Sequence, residues 1–233
     1  MEPVIITVNH DTPRFVELCI RAVHLRTKRP YRHIIIDNGS KHKTIKILDK
    51  FKRQGWIELY KRQIPKVSRS HAASLDWLLQ LRVFGLVCLL DSDAYPVCEG
   101  WLGSLKQTLN VKNLSAIGYA HFRNEKLLHP SMMLFRYNHY MRCGRPSFAM
   151  NGNIRDNFND TGMAVCKKLL QRGYKIKAIN PNKANKLVRH RWSGTRFDIA
   201  IGNKINTIPK AEFRRRTRKW FSEKSAREAL VHV

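Results

Sequence analysis

"LVCLLDSDAYPV" (residues 86–97) runs through five apolar residues and stops on two aspartates one residue apart. A short, continuous apolar run bounded by turn formers has the pattern of a strand buried on both faces of a parallel sheet. In open parallel α/β sheets, ligands bind beyond the carboxyl ends of the strands, so chemistry is expected where this run ends. On an extended strand Asp91 and Asp93 share one face while Ser92 points to the other. Two carboxylates so placed repel each other unless a cation lies between them, and Mg²⁺ or Mn²⁺ prefers such oxygen ligands. Aspartates are also frequent in the turn after a strand, so the spacing alone leaves both readings open.

The flanking sequence repeats the theme. Residues 4–8, "VIITV", form a β-branched run ending at Asn9 and His10, and Phe15, Leu18, Cys19, Ala22 and Val23 then recur at helical spacing. Thr12 is placed to cap that helix, with Pro13 at its first position. "HIIIDNGS" (33–40) is a second strand halted by a turn, and a helix over 42–53, a strand at 56–60 and a helix from Ser70 follow. Strands alternating with helices predict an α/β fold with a mostly parallel central sheet flanked by helices. The second half predicts a helix near 101–108 and strands near 115–119 and 131–136. An Asn- and Gly-rich loop follows at 143–160, then a helix at 161–172 closed by Gly173 and a strand at 174–179. From about residue 203 the composition turns basic, which divides the chain into one domain over 1–202 and a helical, basic C-terminal extension over 203–233.

Lysine and arginine number 44 against 17 acidic residues, a net charge of +27 that draws the chain toward polyanions: nucleic acid, an anionic membrane surface or phosphorylated substrates. The five cysteines are odd in number and lack C-x-x-C spacing, so neither a disulfide framework nor a zinc site is indicated and a reducing compartment, the cytoplasm, is expected. No signal-like segment opens the chain, and the longest apolar run, near 83–90, is too short to span a bilayer, so any membrane contact is expected to be peripheral. Asp37 ends the second strand, where a carboxylate can hold a ribose or base, or simply form an Asx-turn in "DNGS". After the first strand the chain reads "NHDTPRF" with no G-x-G-x-x-G, which argues against hydride transfer from a dinucleotide.

Taken in order, these segments resemble glycosyltransferase family 2 and its relatives of the GT-A fold. "VIITVNHDTPRFVELCIRAV" is similar to their opening strand and helix, and "RHIIIDNGS" to the second strand with its nucleotide-binding aspartate. "SRSHAASLDWLL" stands where the family has its ARNxG helix, and "LVCLLDSDAYP" where it has its D-x-D strand. "HPSMMLFR" is similar to the strand before the acceptor loop, and "FNDTGMAVCKKLLQRGYKI" to EDxDLxxRLxxxGYKI. The resemblance covers roughly residues 3 to 195.

The resemblance implies a nucleoside-diphosphate sugar as donor, Mn²⁺ or Mg²⁺ as cofactor and a hydroxyl acceptor. Asn9, Asp37 and Asp91 would contact the nucleotide; Asp93, with Asp91 beside it, would hold the metal; Asp160 would be the catalytic base. The usual Glu-Asp pair is here Asn159-Asp160, and Asp160 also suits a helix N-cap. In "LVRHRWSGTR", His190 would complete the metal shell and Arg191 or Arg196 would neutralise the diphosphate, with His71 a further diphosphate candidate. In the tail, Phe213, Trp220 and Phe221 form an aromatic side among arginines, suited either to an anionic membrane or to packing on the domain. The function expected is a metal-dependent, inverting glycosyltransferase. The alternative is a nucleic-acid-binding protein, or a transferase acting on modified DNA, which the charge alone would equally suit.

Overall fold

The computed structural model describes residues 2–62, 71–121, 124–149, 161–190 and 221–231. The apolar runs form strands and the amphipathic segments form helices, in the alternation the sequence predicts. β1 (Pro3–Asn9), α1 (Pro13–Arg26), β2 (Arg32–Asp37), α2 (His42–Arg53), β3 (Glu58–Lys61), α3 (His71–Leu81) and β4 (Leu86–Leu90) make the first half. β5 (Ala94–Pro96), α4 (Trp101–Val111), β6 (Ala116–His121), β7 (Asn124–Arg136) and α5 (Tyr137–Arg142) follow. The described chain then gives α6 (Met163–Gln171), β8 (Ile176–Ile179), α7 (Pro181–Ala184), β9 (Val188–His190) and α8 (Lys224–Val231).

Among the described residues, seven strands form the main sheet in the order β3-β2-β1-β4-β7-β6-β8. β7 runs antiparallel to both its neighbours, and the other pairings are parallel. The carboxyl ends of β1, β2 and β4 therefore share one edge. β5 and β9 form a separate two-stranded ribbon.

Alternation along β1 explains the layering. Val4, Ile6 and Val8 meet Leu75, Leu78 and Leu79 of α3 on one face, while Ile5 faces Cys19 and Val23 of α1 on the other. Trp101, Leu105 and Leu109 of α4 extend that second layer, and each such fully buried side chain contributes about 1.5–3 kcal/mol. Trp101 also donates its Nε1–H to Thr27 Oγ1 at 2.9 Å, so its one polar atom is satisfied inside the core.

Gly118 explains how β6 and β7 fit together. A Cβ at Gly118 would lie 2.1 Å from the Met132 carbonyl oxygen, so only glycine lets the strands approach this closely. The β6–β7 register also shifts between Gly118 and Tyr119.

Several expectations need correction. β7 is 13 residues long and begins well before the predicted 131, and a short helix, α5, lies just ahead of the predicted loop. Thr12 stands at the N-cap of α1 but makes no side-chain cap bond; its hydroxyl goes to Asn9 Oδ1 at 2.6 Å. The strand predicted at 174–179 is followed by another, β9, and most of the loop over 143–160 lies outside the described residues.

Four of the five cysteines are buried and Cys98 is half-buried, all as free thiols. In the tail, Phe221 packs on Phe15 with ring centroids 5.3 Å apart, and Ala226 and Ala229 of α8 are fully buried against α1. Phe213 and Trp220 lie outside the described residues, as does the predicted boundary at 202 and 203. Among the described residues no helix is long and apolar enough to cross a membrane.

Candidate active site

The site grows from the edge where β1, β2 and β4 end. At the ends of β1 and β2, Asn9 pairs with Asp37 in register, and its Nδ2 donates to Asp37 Oδ1 at 2.9 Å. The Ser40 backbone N–H donates to Asp37 Oδ2 at 3.0 Å, and the Ser40 hydroxyl donates to Oδ1. The "DNGS" turn is thus closed on Asp37, through the residue three positions on rather than the one two positions on that an Asx-turn uses. Asp37 is 1% exposed, and Oδ2 has capacity for a further donor. Thr12, bonded to Asn9, lies 3.3 Å from Ser92 Oγ and so joins this group to the end of β4.

Beyond β4 the geometry differs from the strand argument. The strand ends at Leu90 and residues 92 and 93 are in a turn, closed by the Ala94 N–H donating to the Asp91 carbonyl at 3.0 Å. The pleat therefore does not align Asp91 with Asp93. The turn brings them together instead, and Ser92 points to Thr12.

Both carboxylates meet one imidazole. His190 Nε2 lies 3.2 Å from Asp93 Oδ1 and 3.4 Å from Asp91 Oδ2. The ribbon sets this contact, because β9 pairs with β5 in the register Ala94↔His190. The His190 side chain is 5% exposed. Burial opposes its protonation, yet the charges of Asp93 and Asp91 outweigh that and push its pKa up to about 9. Burial likewise opposes ionisation of Asp91, but the hydrogen bond from His190 and attraction to the nearby imidazoles of His71 and His190 hold its carboxyl well below the usual carboxylate range.

A divalent ion fits these contacts. Six-coordinate ligands on bonds of about 2.1 Å lie about 3.0 Å from their neighbours, close to the two His190 distances. Asp91 Oδ1 is buried with no hydrogen bond among the described residues, an acceptor still to be satisfied. Carboxylate oxygens joined by one imidazole nitrogen suit Mn²⁺ better than Mg²⁺. His71, the first residue of α3, lies on the other side, with Nε2 3.6 Å from Asp91 Oδ1.

The sequence reading missed His129. It lies on β7, and ligand atoms of Asp91, His129 and His190 fall within 4.8 Å of one another. Antiparallel register explains its place: Leu90 pairs with Met132, so residues before Met132 pass alongside the turn after β4. The Ser131 backbone N–H donates to His129 Nδ1 at 3.1 Å, which leaves the proton of the neutral ring on Nε2. In this tautomer Nε2 is a donor, and His129 could ligate a metal through it only if Nδ1 gave up that bond. Its only sequence signal was inclusion in "HPSMMLFR". Asp160, Arg191 and Arg196 lie outside the described residues.

A sheet of this order with one antiparallel strand has known counterparts in fold. The structure of the mannosyltransferase PcManGT from Pyrobaculum calidifontis, in complex with GDP-Man and Mn²⁺, superposes with a TM-score of 0.59 at 13% identity over 77% of this chain. Residues 1–349 of TarS from S. aureus superpose with a TM-score of 0.60 at 11% identity, covering 91% of this chain and 68% of that one. The same TarS fragment in complex with UDP-GlcNAc gives 0.53 over 64% of this chain.

The fold is that of the GT-A glycosyltransferases.

This GT-A chain spans about half of PcManGT, 55% of its length. No protein-family model and no curated protein sequence matches it.

Proposed function

We propose that the protein is a metal-dependent, inverting glycosyltransferase that moves a sugar from a nucleoside-diphosphate sugar to a hydroxyl acceptor. The observation that carries this reading is the convergence of Asp91, Asp93 and His190 at the carboxyl edge of a GT-A sheet. Two buried carboxylates this close require a cation, which the protonated His190 supplies in metal-free protein and which a divalent ion would supply where the GT-A edge meets a diphosphate.

Asp93, Asp91 and His190 would hold the metal, which when bound neutralises charge on the departing diphosphate. Asn9 and Asp37 would hold the nucleoside, and the bonds from Asn9 and Ser40 fix the Asp37 carboxylate for that task. Arg191 or Arg196 would neutralise the diphosphate, with His71 a further partner for it. Asp160 is the assigned base: it takes the acceptor's hydroxyl proton as that oxygen attacks the anomeric carbon opposite the diphosphate, inverting its configuration. A charge of +27 suits an anionic acceptor, such as a lipid-linked glycan at a membrane surface. Nucleic-acid binding alone would leave the acidic cluster without a purpose.

A screen of sugar nucleotides that follows nucleotide release, with and without Mn²⁺, tests the class and names the donor. Metal-dependent release lost in Asp93→Ala is the expected result. Release from no donor, or release unchanged in that variant, would sink the reading. Asp160→Asn should abolish transfer and spare donor binding.

A further inference from the structure

Within the site the shortest of the His190 contacts is to Asp93: His190 ends β9, and Asp93 is the turn residue that leads directly into β5, the two strands forming a ribbon of three residues each. A two-stranded ribbon this short does not hold its own geometry in water. Tyr119 of the main sheet bonds it on one side, through its hydroxyl to the Val188 carbonyl. On the other side the support comes from the far end of the chain.

Tyr95 and Arg189 are cross-strand partners in the ribbon. Tyr95 follows Asp93 by two residues, and Arg189 immediately precedes His190. Both reach one carboxylate oxygen: the Tyr95 hydroxyl donates to Glu223 Oε2 at 3.1 Å, and Arg189 Nη1 donates to the same atom. Tyr95 is fully buried, and its hydroxyl also lies 3.3 Å from Ser225 Oγ.

Arg26, at the end of α1, completes the connection. Its Nη1 donates to the Pro96 carbonyl of β5 at 3.0 Å. Its Nη2 donates to the Ser225 carbonyl at 2.9 Å and to Glu228 Oε2 at 3.3 Å. The segment that carries Glu223 is itself anchored by Phe221 on Phe15 and by Ala226 and Ala229 against α1.

We propose that Glu223 is a positioning residue for the catalytic site: it clips β5 to β9 and thereby fixes Asp93 against His190, so that the C-terminal segment is a working part of the donor site. The inference rests on the metal reading for its consequence, though not for its geometry. Charge-assisted bonds to one oxygen from both strands hold the ribbon's width and register, and a change of a few tenths of an ångström there is felt directly between the two ligands.

The test uses the full chain with Glu223→Ala, Glu223→Gln and Tyr95→Phe, the last removing one hydroxyl while keeping the buried ring. Two measurements are made: Mn²⁺ binding, from loss of the free-ion paramagnetic resonance signal, and the long-range ¹H–¹⁵N spectrum of the His190 ring in metal-free protein. Glu223→Ala should weaken Mn²⁺ binding about tenfold, as loss of outer partners does at metal sites, and should shift the His190 resonances. Glu223→Gln, which keeps an acceptor for both donors, should recover part of each effect. A role confined to stability would lower the melting temperature and leave both measurements alone, and that result overturns the inference. If wild type binds no Mn²⁺, the metal reading fails on its own, and the His190 spectrum still decides whether Glu223 positions the ring. If Glu223→Ala does not fold, Tyr95→Phe and Glu223→Gln decide the question by the same two readings.

Discussion

His190 Nε2 and Asp93 Oδ1 lie 3.2 Å apart although 97 residues separate them in sequence. The contact is made by strand pairing, since Ala94, next to Asp93, is the register partner of His190. With Asp91 3.4 Å away on the other side, the imidazole faces two carboxylates. Without metal the three groups form a charged hydrogen-bonded cluster; with metal the same lone pairs become ligands, so proton and metal compete for one site.

Replacing Asp93 removes half of that arrangement. In Asp93→Asn the His190 pKa should fall from about 9 toward the ordinary histidine value, because its largest favourable charge is gone. Mn²⁺ affinity should fall at least about tenfold. An NMR titration of the metal-free variant and a Mn²⁺ binding isotherm measure the two effects separately. An unchanged isotherm would remove Asp93 from the metal shell.

The first half of the fold was legible because its signals are local. β1 and β2 are continuous apolar runs and α1, α2 and α3 bury a face whose period shows in the sequence, and their ends lie within a few residues of the expected ones. The ribbon was not legible, since three-residue strands carry no period and β5 finds β9 only through the folded sheet. β7 was read short because its first residues, "NEK", are polar and half-buried or exposed. In the site, motif order points to Asp91, Asp93 and His190, and the structure brings them together, through a turn and not through the pleat of the strand. His129 arrives by antiparallel register, which no single segment encodes, and Glu223 is 128 residues from the tyrosine it holds.

Two histidines should give metal-free stability a maximum near neutral pH. His33 is buried, and burial depresses its pKa to about 3, so the unfolded chain binds its proton first as pH falls below about 6.5. Stability is then lost on acidification between about 6.5 and 3. His190 has the opposite sign: its folded pKa of about 9 lies above the unfolded value, so its contribution is complete below about 6.5 and is lost as pH rises through 9. Each group changes stability by at most about 1.4 kcal/mol per pH unit. Urea unfolding across pH 4–10 in chelator measures the profile. His33→Gln should flatten the acid limb, and saturating Mn²⁺ should reverse the alkaline one, because the metal prefers the deprotonated ring.

Gly118 tests the sheet that carries the site. A methyl group there would sit 2.1 Å from the Met132 carbonyl oxygen and 2.9 Å from Met133 Cα, both backbone atoms that cannot rotate away. Gly118→Ala should therefore cost about 3 kcal/mol, at the upper end for overpacking. A cost below about 1 kcal/mol in urea unfolding would show that β6 and β7 part easily.

His129 separates donation from ligation. With Nδ1 occupied by the Ser131 N–H, the ring offers an Nε2–H to the site. If the donor's diphosphate lies where the metal reading puts it, that proton can stabilise charge on the leaving group without touching the metal. His129→Ala should then lower the transfer rate about tenfold or more while Mn²⁺ affinity stays within about twofold of wild type. Glutamine at this position can still donate, so His129→Gln should retain more activity than alanine. A metal ligand would behave differently, since its removal would weaken Mn²⁺ binding in both variants and glutamine would rescue neither. Mn²⁺ isotherms and steady-state rates on the two proteins distinguish the roles, and loss of Mn²⁺ affinity in both would move His129 into the metal shell and require Nδ1 to give up its bond to Ser131.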